Sequence, residues 1–146
     1  MSSPDLSLPA ASPFLRAGAL TLAEVTGTGV TGTLATGPDQ HTPWGVVHGG
    51  VYTTAVESAC SAGASAAVAG NGQYAVGVSN QTDFLRPLRE GELELAAWPI
   101  HQGRTQQLWQ CEIKRPDGKL IARGQLRLQN VENDASDQPS RPAEHG

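Results

Sequence analysis

The chain has 146 residues, 38% of them hydrophobic, and a formal net charge of −4. That length suits one domain with a sizeable core, and the acidic balance speaks against a general nucleic-acid binder. No apolar run approaches the length of a membrane span, Met1–Pro13 lacks the basic and apolar regions of a signal peptide, and Cys60 and Cys111 have no metal-like spacing, so a soluble cytoplasmic protein with two core thiols is expected.

Residues 1–13 and 131–146 hold five of the ten prolines, together with Ser, Asp and Glu, and neither has an apolar period. Both are expected to be disordered tails around a domain at residues 14–130. Phe14–Ala19 reads as a short helical turn. Leu20–Val25 and Val30–Thr36 read as strands separated by the glycine turn at Gly27-Thr28-Gly29. Pro38 and Pro43 make the stretch from Gly37 to His48 a loop.

A helix is predicted from about Gly49 to Ala69, roughly 30 Å long, ended by Gly70-Asn71-Gly72, which tolerate positive φ. From Val51 to Ala69 the only formal charge is Glu57. A helix this rich in Ala, Gly and Ser has no solvated face, so other structure must wrap it. Glu57 is then partly buried, and a buried carboxylate is costly unless it is paired or used. Gly50, Thr54, Glu57, Ser61 and Ser65 fall within one stripe of roughly 80°. The bland reading is that the hydroxyls bond back to helix carbonyls and Glu57 meets an arginine.

Gly49 and Gly50 leave the first-turn amides open, where no helical partner exists and the macrodipole is positive. Such amides can stabilise an oxyanion, although the two glycines could equally serve a tight loop-to-helix turn. His48 beside them is disfavoured as a proton carrier and reads better as an anchor or substrate contact. His41, His101 and His145 form no metal spacing with it. No Gly-x-Ser-x-Gly elbow, zinc signature or phosphate loop occurs.

Beyond the helix the period becomes two. Tyr74–Leu85 and Glu92–Ile100 supply two strands; Trp109, Cys111 and Ile113 alternate with polar residues in a third. Leu120, Ala122, Gly124, Leu126 and Leu128 share one face of a fourth, after the turn at Pro116-Asp117-Gly118. The class is α+β: one long central helix wrapped by a curled antiparallel sheet. Eight of the ten basic residues lie between Arg86 and Arg127, and none between Arg16 and Arg86. They are either solvated strand and turn positions or a cluster for an anionic ligand.

The run Trp44-Gly-Val-Val-His48-Gly49-Gly50-Val-Tyr52 with Glu57 resembles the hotdog-fold acyl-CoA thioesterases, particularly the 4-hydroxybenzoyl-CoA type with a helix glutamate and the phenylacetate-pathway type. The run from Val76 through Asn80, Thr82 and Arg86-Pro87 to Gly91, and the turn Ile100-His101-Gln-Gly103, match as well. The resemblance implies a hotdog fold, a homodimer or homotetramer with sites between subunits, and hydrolysis of an aromatic or medium-chain acyl-CoA. No separate cofactor is implied, since coenzyme A is part of the substrate.

By that pattern Glu57 is nucleophile or general base, the Gly49 amide polarises the thioester carbonyl, Ser61 holds the attacking water or the acid, and His48 belongs to the same catalytic group. Gly50, Thr42, Asn80, Thr82, Arg86, Arg89, Arg104 and Thr105 fall among the substrate and coenzyme A contacts. Thr42 stands where relatives carry a substrate-contacting Gln, and Arg104 where they carry a small hydroxyl. A hotdog hydratase or dehydratase would need a differently arranged His–acid pair. A non-catalytic acyl-CoA binding module would favour Gln or Ala at position 57.

Overall fold

Alternating apolar and polar residues build six antiparallel strands, and one long run of small residues builds the helix they enclose. In a computed structural model the described residues are 4–7 and 10–133. The elements in order are α1 (Pro13–Ala17), β1 (Leu20–Thr26), β2 (Gly29–Thr36), α2 (Gly49–Val68), β3 (Gln73–Phe84), β4 (Gly91–Gln102), β5 (Gln106–Lys114) and β6 (Leu120–Glu132). α1 starts at Pro13, with the Ser12 hydroxyl accepting from the Leu15 amide at 3.3 Å. The tail expected beyond 130 begins as strand through Glu132; residues 1–3, 8–9 and 134–146 lie outside the described residues.

All strand pairs are antiparallel, in the order β1-β2-β4-β5-β6-β3. β1 and β3 are the two edges. The sheet curls around α2, which contacts every strand, and this is the hotdog arrangement. Close wrapping needs a thin helix. Ala55, Ala59, Cys60 and Ala64 are buried against the sheet, and a β-carbon on Gly63 would overlap the Trp109 ring. Trp109 is itself fully buried and donates to Gln107 Oε1 at 2.9 Å.

Cys60 and Cys111 are both buried thiols, as core residues should be. The hydrogen bond to Cys60, then burial, push the Cys111 thiol well above the ordinary cysteine range. α2 ends at Val68 and passes through a 3₁₀ turn, Ala69–Asn71, to Gly72 at φ 69°. There glycine accepts the left-handed conformation that closes the helix.

One irregularity positions the site. The β3–β6 register shifts between Gly77 and Ser79, so Val78 bulges out of the ladder. Before the bulge Ala75 and Gly77 face the helix. After it the parity reverses, and Asn80, Thr82 and Phe84 face inward.

Candidate active site

The site is built at the N-terminal half of α2. His48 is the N-cap, with φ −66° and ψ 132°, and its Nδ1 accepts the Gly50 amide at 2.8 Å. A nitrogen that accepts from an N–H is unprotonated, so the neutral ring carries its proton on Nε2 and presents a donor rather than a base. The first-turn amide of Gly50 is therefore consumed. The Gly49 amide has no acceptor among the described residues, and it remains the one available for an oxyanion. The Phe84 ring packs over Gly49, where a β-carbon would collide with it. Glycine here is thus a requirement of close approach as well as of the turn.

The loop before the helix is pinned at both ends. Val47 donates to the Leu88 carbonyl at 2.8 Å, His48 to that of Gln40 at 2.8 Å, and the His41 ring meets the Arg89 carbonyl. Thr42 is tied into its own turn: its amide donates to the Val46 carbonyl at 2.7 Å and its hydroxyl accepts from the Trp44 amide at 3.2 Å. At the tip, Trp44 is 83% exposed. Phe84 and Leu85 are exposed on the neighbouring strand end, so aromatic and aliphatic surface frames the helix start.

Glu57 is half-buried. Among the described residues no cation pairs with it, and an amide takes that place. Asn80 Nδ2 donates to Glu57 Oε1 at 3.3 Å and to the Thr53 carbonyl at 3.1 Å. The Thr82 hydroxyl donates to Asn80 Oδ1 at 2.7 Å, which fixes the amide with its NH₂ toward the acid. Asn80 and Thr82, expected among the substrate contacts, thus spend their polar groups on Glu57 and on each other. The other carboxylate oxygen fills the space that a β-carbon on Gly77 would need. Gly77 did not stand out among the candidate residues, although a glycine inside a strand commonly marks a close approach or a bulge.

The polar stripe expected on α2 divides in the structure. Glu57 faces β3, whereas Thr54, Ser61 and Ser65 line an outward groove, joined there by Ser58, which is not part of that stripe. Ser65 is occupied at one end of it, accepting the Ala75 amide at 3.0 Å and donating to the Ala75 carbonyl at 3.4 Å.

Arg86 and Arg89 are exposed at the helix start, the Arg86 amide bonding the Ile121 carbonyl at 3.3 Å. Arg104 and Thr105 lie elsewhere. Asn130 holds that turn, donating from its side chain to the Arg104 carbonyl at 3.2 Å and from its backbone to the Thr105 carbonyl at 2.8 Å. Gln107 links Asn130 Oδ1 to the Ala64 carbonyl of α2 at 2.8 and 3.0 Å. Ala64 is fifteen residues, about 22 Å, along the helix from Gly49. Within one protomer, Arg104 and Thr105 therefore do not join Arg86 and Arg89. No group of three His, Cys, Asp or Glu side chains suited to a metal forms among the described residues.

The thioesterase superfamily is matched over residues 45–122. The Mycobacterium tuberculosis protein Rv1847, provisionally named an esterase, is 48% identical over 90 residues, 60% of this chain and 64% of that one. The match thus spans less than two thirds of that relative's length. Its structure superposes with a TM-score of 0.79 at 39% identity, covering 90% of this chain and 100% of that one. S. sahachiroi AziG gives 0.79 at 36% identity, covering 83% and 98%. The 1,4-dihydroxy-2-naphthoyl-CoA hydrolase of Escherichia coli is 32% identical over 84 residues, 58% of this chain and 61% of its own.

Proposed function

The chain belongs to the thioesterase superfamily, and from that premise we propose that it is an acyl-CoA thioesterase, converting a thioester and water to a carboxylic acid and free coenzyme A. The observation that carries this reading is Glu57: one acid on an otherwise uncharged helix, half-buried, held by a neutral amide and, among the described residues, by no cation. A carboxylate matched by an arginine is a structural ion pair. One oriented by Asn80 keeps its charge free for chemistry. It either attacks the thioester carbonyl, giving a mixed anhydride that water then opens, or takes the proton from a water that attacks instead. In both routes the carbonyl oxygen gains charge, and the Gly49 amide at the positive end of α2 is suited to receive it. The thiolate of coenzyme A leaves and is protonated from solvent. Similarity to the 1,4-dihydroxy-2-naphthoyl-CoA hydrolase of Escherichia coli supports an acyl-CoA substrate.

Helix geometry supports a site built from two copies of the chain. Gly49 and Glu57 are eight residues apart on one straight helix, about 12 Å. A carbonyl bonded by one and attacked by the other needs both within about 3 Å. A partner helix running the opposite way brings Gly49 of one protomer to Glu57 of the other. The sheet order leaves β3 unpaired on its outer side, with Tyr74, Val76 and Val78 exposed. Such an edge invites pairing with a second copy, so the working unit is at least a homodimer joined through β3. Ser61, one turn beyond Glu57, then holds the attacking water. Arg86 and Arg89 bind the phosphates of coenzyme A, and Arg104 and Thr105 contact the nucleotide from another subunit. The test is thiol release from a panel of aromatic and aliphatic acyl-CoAs; no release from any member would refute the assignment.

A further inference from the structure

We infer that the groove along the outward side of α2 is an acyl-chain site, and that it makes long, unbranched acyl-CoA thioesters the preferred substrates. This rests on the thioesterase reading above. The groove encloses about 1030 Å³. Its floor is the helix face carrying Val51, Ala55, Ala62 and Ala66, and one wall is Leu20, Leu22 and Val25 of β1. Leu6 and Leu15, from the residues preceding β1, also line it, and Gln73 and Tyr74 bound its far end.

Three features select the occupant. First, the groove is long and passes within one helical turn of the acid, whose carboxylate faces β3. It passes Ser61, four residues beyond Glu57, and continues to Ala69. Twelve residues of helix from Glu57 to Ala69 span about 18 Å. An extended hydrocarbon advances roughly 1.25 Å per carbon, so that distance holds on the order of fourteen carbons. An aromatic ring would fill only its first turn.

Second, the lining is apolar apart from small hydroxyl and amide groups and one acid, Asp5, which is exposed. Among the described residues no lysine or arginine lines it, so the phosphates of coenzyme A stay outside, at the end carrying Arg86 and Arg89. Third, this chain's own N-terminal residues lie against it, because Pro4, Leu6 and Leu15 are part of the lining. A second protein chain would have to displace them, whereas a slender chain threads beneath. Alanine and serine on the helix face keep the passage open where Leu or Met would close it.

A chain-length series of acyl-CoAs from four to eighteen carbons, with benzoyl-CoA alongside, reads the groove directly on the full-length protein. Each buried methylene improves binding by up to about fourfold. KM is therefore expected to fall steadily with length and to level off near fourteen to sixteen carbons. Ala66→Leu places a branched side chain in the passage about two and a half turns from Glu57, at an exposed position outside the catalytic group. It is expected to raise KM for hexadecanoyl-CoA more than tenfold and to leave butanoyl-CoA and benzoyl-CoA unchanged. A KM independent of chain length, or an Ala66→Leu variant with an unaltered long-chain profile, overturns the inference. So does a change in the oligomer mass of Ala66→Leu by light scattering without a change in that profile, since a second copy then fills the groove. Binding of hexadecanoic acid, followed by displacement of a fluorescent fatty acid, is expected to be lost in Ala66→Leu. If the fatty acid binds in this way but no acyl-CoA is hydrolysed, the groove stands and the thioesterase reading falls.

Discussion

The carboxylate of Glu57 stands where a β-carbon on Gly77 would have to be. The acid therefore has its berth only because β3 lacks a side chain at that point, and Asn80 then fixes its direction. Gly77→Ala should push the carboxylate aside by about an ångström without removing it. A displacement of that size costs roughly 10–100-fold in kcat, with KM nearly unchanged because no substrate contact is lost. Steady-state kinetics on one good acyl-CoA checks this; native turnover in Gly77→Ala would show that the observed berth is not the working position of the acid.

Much of this was legible in the chain itself. The uncharged run from Val51 to Ala69 announces a wrapped helix, and the alternation through Trp109, Cys111 and Ile113 announces a half-buried strand; both are observed. What stayed hidden is set by tertiary contacts. Tyr74, Val76 and Val78 are as apolar as the residues facing the helix, so sequence period could not reveal the bulge that turns Asn80 toward Glu57. Helical spacing placed Glu57 and Ser61 in one stripe; in the structure Ser61 lines the groove, whereas the Glu57 carboxylate turns toward Asn80 and Gly77 of β3. Nor could linear order show that Arg104 is bound, through Asn130 and Gln107, to the far end of α2.

Glu57→Gln removes the charge while keeping the shape. It should lower turnover on the order of 10³-fold or more while retaining the fold and ligand binding. Wild-type-like turnover in this variant would remove Glu57 from the mechanism.

The proposed sharing of the site between protomers has its own signature. Gly49→Ala brings a methyl against Phe84 and the open amide, and each of Gly49→Ala and Glu57→Gln alone should be nearly inactive. Mixed after denaturation and refolded together, half the dimers are hybrid, and each hybrid holds one site with both groups intact. Activity should return to about a quarter of the native level. A mixture as inactive as its parents would place Gly49 and Glu57 of the same chain in one site.

Tyr52 is 2% exposed, and its hydroxyl has no partner among the described residues. Burial pushes its phenol from 10.0 up to about 12. Tyr52→Phe removes an unpaired buried polar atom and should stabilise the protein by about 1 kcal/mol. The sign of the pH effect follows from linkage. The unfolded chain releases the phenolic proton near pH 10 and the folded one near 12, so the stability tied to the neutral phenol is intact below 10 and lost as pH rises through 12. Thermal unfolding at pH 7 and pH 11 should show a smaller alkaline loss for the Phe variant. A lower Tm for Tyr52→Phe at pH 7 would mean that the hydroxyl is hydrogen-bonded.

Arg86 and Arg89 are exposed beside the start of α2, and the Arg89 carbonyl is locked to the His41 ring. Their backbones are thus fixed, and among the described residues their guanidinium groups have no ion-pair partner, which suits the proposed phosphate contacts at the rim. Replacing either with Ala should raise KM for an acyl-CoA by several-fold to about tenfold and leave kcat nearly unchanged, the pattern of an interaction equally strong in the ground and transition states. The effect should fade at high ionic strength, because exposed charges are screened. An acyl-pantetheine, which lacks the nucleotide, should be almost indifferent to the same substitutions. Equal losses on the full and truncated substrates would assign these arginines to the fold or to the contact between subunits.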